Sequence, residues 1–494
     1  MYTRTTWLIA IGVGIAIGAG ARPASADLLI QGIDGPVTAA EIDAFERHMM
    51  TVEPGGSNRG NNYVYGNGGK SLEGLGEMYE VTGDTAILDR MIYFADRMLA
   101  GRNDRSERRT IWTGRVEPCW PNKPATAADG AYCGTENGDV VGHIAFCARL
   151  ILETPALWNQ RVAIGDPEHH GATYLERART FVAEGDKTAA WLTTWFVNAD
   201  SKRFYLPRSP GFAALGPRYE KDQGHGVPWN QQMMLASGFQ RLAESHALLR
   251  DDARKTRAYD AIVKASMGWF QSELQSYRAG DRDAYKWSYA TGDVNLRYME
   301  DAGHGGYDIW GLWKAAQRSS YHIRSRTLRQ LAQTVRFVMA GSDGKFAGRV
   351  DGGGGRKAYL GSTFLLLAKY DPALFPVLAN RALLSQAKNR MDVAARILWM
   401  KHLRSGGFDA APASEATGDT EADEAAVGGG EAELGALAGA DEEIDDVAAE
   451  DDDEAAADDD DLSGGCRVGG GAASAAPFAL LLALIALPRW RRRS

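Results

Sequence analysis

Between Asn295 and Asp308 one short stretch gathers Arg297, Glu300, Asp301, His304, Tyr307 and Asp308, interrupted by three glycines. Groups of these types hold, move or neutralise protons, which is the equipment of general acid–base catalysis. His304 and Tyr307 are three apart, so on the first turn of a helix they share a face. Gly305 and Gly306 between them leave room for a ligand to approach the backbone. The spacing predicts that Tyr307 and His304 act together, with Arg297 and Glu300 beside them and Asp308 on the binding side. A second cluster, Asp222 to Gln231, again sets a His-Gly pair (His225, Gly226) just before a helix, with Pro228 at its first position and Trp229 and Asn230 following. A third runs from Thr135 to His143 and contains Glu136, Asn137 and Asp139. A fourth runs from Asn61 and Asn62 to Asn67. Asn61, Asn62, Asn137 and His143 are read as substrate-binding residues.

The elements that must carry these clusters are helices. From residue 38 onward apolar positions recur at helical spacing, predicting helices over 38–51, 70–81, 85–100, 138–153, 172–196, 229–249, 253–276, 303–318, 324–340, 358–369 and 373–403. They fall into pairs, with a first helix rich in small residues and a more charged second one. Thr82-Gly83-Asp84 and Tyr370-Asp371-Pro372 mark tight turns inside pairs. The long, Gly- and aromatic-rich connections all precede the first helix of a pair. Short turns on one rim and long loops on the other describe an all-α fold, an (α/α) toroid of five to seven helical hairpins. Every cluster above then falls on the long-loop rim, where function concentrates.

Aromatic residues suggest the ligand class. Many of the 13 Trp flank these loops, among them Trp112, Trp120, Trp229, Trp287 and Trp310, with Tyr289 nearby. Flat rings stack on sugars, and Arg pairs with carboxylates. Asn61-Asn62-Tyr63, His225 with Asn230, and Arg297 through Tyr307 together resemble the helical-toroid polysaccharide lyases, the alginate- and glucuronan-lyase-like families. The resemblance implies β-elimination on a uronate glycan. Asn230 with His225 or Arg297 would neutralise the carboxylate, and Tyr307 with His304 would do the proton transfer. The rival reading is a six-hairpin glycoside hydrolase built on a carboxylate pair drawn from Glu300, Asp301, Asp308, Glu136 and Asp139. A third is a surface protein that binds glycans without cleaving them.

Composition qualifies the partner. The 494-residue chain has a formal net charge of −9, but 22 acidic residues and no basic ones lie between Asp409 and Asp461. Removing that run and both termini leaves residues 27–408 at about +6. An anionic polysaccharide is therefore the expected substrate; no nucleic acid is expected, and the body is expected to be a monomer. No P-loop, G-x-G-x-x-G or G-x-S-x-G string is present, so no cofactor is expected. No two His stand at H-x₃-H spacing beside an acid, so no metal ligand set is expected either.

Both ends read as addresses. Arg4, the apolar run Trp7–Ile17 and Ala24-Ser25-Ala26 describe a signal peptide over 1–26. After a self-repelling stalk over 409–465 come Cys466, an apolar span over 477–487 and Arg489 to Arg493. This tail, 466–494, resembles the MYXO-CTERM sorting tag of myxobacteria. The resemblance implies lipidation at Cys466 and display on the outer membrane of a Gram-negative cell. In an oxidising compartment Cys119 and Cys133 are expected to pair, leaving Cys147 as a buried thiol.

Overall fold

The structure, a computed structural model, describes residues 27–55, 60, 63, 66–122, 132–291 and 298–406, without the side chains of Asn67 and Arg218. Asn61, Asn62, Arg297, residues 1–26, the stalk, and Cys466 with its apolar span lie outside the described residues.

Helices dominate the described residues. Helix α1 is Ala39–Met49, α2 Asn67–Thr82, α3 Thr85–Ala100, α4 Asn137–Leu152, α5 Tyr174–Phe196, α6 Trp229–Leu249, α7 Ala253–Glu273, α8 Ala302–Ala316, α9 Ser325–Thr334 and α10 Met391–Ser405. A 3-10 segment, Ser362–Lys369, stands between α9 and α10. Local chemistry sets the ends. Thr38 and Glu41 form a reciprocal cap on α1, as Thr173 and Glu176 do on α5. Gly83 at φ 66° closes α2, and Asp84 caps α3 in the next residue, so the hairpin turns in two residues.

Contacts between elements form a closed circuit. α2 packs on α4, α4 on α6, α6 on α8, α8 on the 3-10 segment, that segment on α10, and α10 on α2. Outside this ring α3 covers α2, α5 covers α4, α7 covers α6, and α1 packs against α10. The fold is an (α/α) toroid, with the apolar core between the two rings. Six described segments make the inner ring, within the expected range of hairpins.

The small residues of the inner helices have a packing reason. A methyl group added at Gly138 of α4 would lie 2.5 Å from the Cα of Leu235 on α6, and one at Gly311 of α8 would lie 2.4 Å from Cβ of Met233. Only glycine lets these helices approach so closely.

Three expectations differ from the structure. The single helix expected over 373–403 is three, Leu374–Leu378, Arg381–Gln386 and α10. Asn380 starts the second by accepting from the Leu383 backbone N–H, a cap that competes with continued helix. The loop expected over 277–302 contains most of an antiparallel hairpin, Gln275–Ala279 with Arg282–Lys286, turned through Gly280 at φ 62°. The helix expected over 358–369 forms only as the 3-10 segment. Cys119 and Cys133 are bonded as expected, and Cys147 is buried and free. Among the described residues no helix is long and apolar enough to cross a membrane.

Candidate active site at the mouth of the inner ring

The first two turns of α2, α4, α8 and α10 converge at one end of the ring. Lys70, Asp139, Tyr307 and Asp392 stand there, with Arg390 just before α10, and they act on one another electrostatically. Lys70, Tyr307, Arg390 and Asp392 are half-buried, while Asp139 is 1% exposed. Burial pushes the Tyr307 hydroxyl above its ordinary pKa, and the Asp139 and Asp392 carboxylates push it further. Burial pulls the Lys70 ammonium down, against Asp392 and Asp139. Asp392 is held low, because Arg390, at 2.9 Å, and Lys70 outweigh the burial that would raise it. Asp139 Oδ2 is buried, and His143 Nε2 faces it at 3.4 Å.

One turn deeper the axis is filled by charge rather than by apolar side chains. Glu73 takes Arg241 through both carboxylate oxygens and His143 Nδ1 at 2.9 Å. Lys314 donates to Ser237 Oγ at 2.6 Å and lies 3.9 Å from the centre of the Trp310 ring. Arg396 pairs with Glu77 at 2.5 Å, and its guanidinium carbon lies 5.2 Å from the Trp310 ring centre. Burial alone would raise Glu73, yet Arg241 and His143 hold it well below the carboxylate range. Burial alone would lower His143, yet Asp139 and Glu73 on either side hold it above its usual value. Burial brings Lys314 down to about 8 and Glu77 up to about 7.

Of the residues singled out in the sequence, Tyr307 and His143 reach this axis, together with Asp139. His304 does not join Tyr307; it turns to Asp301, with Nδ1 2.5 Å from Oδ2, and to the Tyr289 ring at 5.0 Å. Tyr289 in turn stacks on Tyr298. Glu300 and Asp308 are fully buried beside Trp287, whose Nε1 donates to Asp308 Oδ2 at 2.8 Å. Trp287 and Trp229 are themselves 1% and 0% exposed, so their faces are covered by protein rather than open to a sugar. Asn137 pins the preceding loop, accepting from the Trp120 N–H and donating to the Gly134 carbonyl. Asn230 is buried in the first turn of α6, and His225 is half-buried in the loop before it. Glu136, at the start of α4, is buried, which pushes its carboxyl up to about 7.

Sequence reading passed over Lys70, Glu73, Glu77, Arg241, Lys314, Asp392 and Arg396. Their signal was present: Lys70, Glu73 and Glu77 follow helical spacing in a segment otherwise rich in glycine and apolar residues. A polar stripe on such a segment is ordinarily its solvent face. Here the ring turns it inward.

No protein-family model matches the chain, and comparison with curated proteins finds no match. Among solved structures the chain is similar to a family 76 glycoside hydrolase from a bovine Bacteroides thetaiotaomicron strain, at 10% identity and TM-score 0.36, covering 69% of this chain. It spans only 56% of that enzyme's length. It is also similar to a possible member of the GH105 family from Salmonella enterica serovar Paratyphi A, at 12% identity and TM-score 0.35, covering 75% of this chain and 96% of that one. A third is a family 88 glycosyl hydrolase from Bacteroides vulgatus, at 9% identity and TM-score 0.33, covering 75% of this chain and all of that one.

Proposed function

We propose that the protein is a glycan-cleaving enzyme that works by carboxylate chemistry, as a hydrolase, at the mouth of the inner ring. The observation that carries this reading is Asp139, whose Oδ2 is buried, faces His143 Nε2 at 3.4 Å and shares the mouth with Asp392. The His143 ring beneath it can supply a proton, which this carboxylate relays to a glycosidic oxygen. Asp392, kept ionised by Arg390 and Lys70, is the partner that faces developing positive charge. Elimination needs a base at neutral pH, and both Tyr307 and His143 are pushed toward their protonated forms. Tyr307 serves in this reading as a binding group. The positive charge of residues 27–408, with Lys70 and Arg390 at the mouth, favours an anionic saccharide. The Cys119–Cys133 bond supports export, consistent with the leader-like residues 1–26 and the sorting-tag-like tail. The test is product chemistry on uronate-containing and neutral glycans, read by mass spectrometry. Hydrolysis adds water and leaves saturated ends; an unsaturated non-reducing end would overturn the assignment.

A further inference from the structure

At the start of α8, away from the axial charges, one carboxylate oxygen of Glu300, one of Asp301 and one imidazole nitrogen of His304 lie within 4.8 Å of one another. The three do not form an ordinary exposed acidic cluster. Glu300 is fully buried, and its Oε2 accepts from no N–H. Asp308, also fully buried, lies within hydrogen-bond reach of Glu300, and its Oδ1 accepts from no N–H. Among the described residues no Lys or Arg pairs with either carboxylate. Two adjacent buried carboxylates without a cation are costly unless something positive, or a shared proton, sits between them.

We propose that Glu300, Asp301 and His304 bind a divalent cation, with Asp308 neutralised from beneath by the same charge. Carboxylate oxygens with one imidazole suit Zn²⁺ or Mn²⁺ better than an all-oxygen ion. The surroundings fit a working site. Asp308 is held by the Trp287 N–H, and the Tyr289 ring fixes the imidazole edge. The His304 and Asp301 side chains keep 25% and 38% of their surface, which gives the ion an entry path and leaves positions for water. The ligands bind in their deprotonated forms, so affinity falls as pH falls. An H-x₃-H search does not find this set, because it holds a single His beside two carboxylates. The site stands apart from the axial carboxylates and does not depend on the proposed reaction.

The experiment uses the full-length protein stripped with a chelator and dialysed. Thermal unfolding is followed with ZnCl₂ or MnCl₂, with CaCl₂ and MgCl₂ as comparators, and bound metal is counted by elemental mass spectrometry. The expected result is close to one equivalent of Zn²⁺ or Mn²⁺ retained and a higher Tm. Glu300→Gln and His304→Gln should each weaken retention by about tenfold or more. His304 is partly exposed, so His304→Gln decides the matter even if the buried substitution disturbs folding. Retention unchanged in His304→Gln, or no ion bound at all, overturns the proposal. So does a Glu300→Gln protein with raised Tm in metal-free buffer that no ion raises further, which would assign the pair to a shared proton.

Discussion

His143 Nε2 lies 3.4 Å from Asp139 Oδ2, one turn earlier on the same buried face of α4, while its Nδ1 contacts Glu73 at 2.9 Å. One imidazole ring thus joins the carboxyl at the mouth to the charge cluster that fills the axis. That link separates the proposed reacting group from its support and makes both testable.

Asp139→Asn removes the carboxylate of the proposed mechanism with little change in volume. We expect kcat on a responsive glycan to fall by about 100- to 10,000-fold, with KM little changed. Tyr307→Phe should keep kcat within about tenfold and raise KM. Steady-state kinetics on both variants checks this, and the reverse ranking would restore an elimination mechanism based on Tyr307.

The raised pKa of His143 has a definite sign in stability. A His raised in the folded state stabilises fully below its unfolded value of about 6.5, and that contribution is lost as pH rises through the folded value. The stability difference between the wild type and His143→Gln should therefore shrink from mildly acidic to alkaline pH. Urea midpoints across that range measure it. A constant difference would mean that the imidazole is neutral.

Arg241 is the main countercharge of buried Glu73. Arg241→Met leaves that carboxylate with His143 and the more distant Lys314, and should cost about 3–5 kcal/mol. Adding Glu73→Gln should recover part of the loss. Denaturant unfolding of the three variants tests the coupling, and simple additivity would refute it.

Two glycines in helices should respond in opposite directions. Gly138→Ala drives a methyl against the α6 backbone and should lower stability by about 1–3 kcal/mol. Gly268 of α7 is exposed, with nothing within 4 Å of an added Cβ, so Gly268→Ala should raise stability by about 0.5–1 kcal/mol. Calorimetric Tm values decide both.

Much of the architecture is determined locally and was legible in the residues themselves. Helical apolar spacing places α3 and α6 at the ends seen in the structure, and Gly83 with Asp84 dictates the tight turn between α2 and α3. The alternation of short turns with long loops is enough to imply a toroid, because it sends successive helices inward and outward by turns. The pairing of Cys119 with Cys133 follows from their closeness in a Pro- and Gly-rich loop once an oxidising compartment is inferred.

What the tertiary structure alone decided is which way each polar side chain faces. His304 and Tyr307 share a short segment, yet one docks against Asp301 and Tyr289 and the other enters the axis, because ring closure aims α8 between α6 and the 3-10 segment. Lys70, Asp139 and Asp392 lie far apart in the chain and become one mouth only when α10 packs on α2. A helix repeats its own faces every turn, but burial of a charged stripe depends on partners hundreds of residues away. Arg241 finds Glu73 across 168 positions, and Lys401 finds Glu41 across 360. Spacing along the chain cannot encode such pairings; the closed ring does.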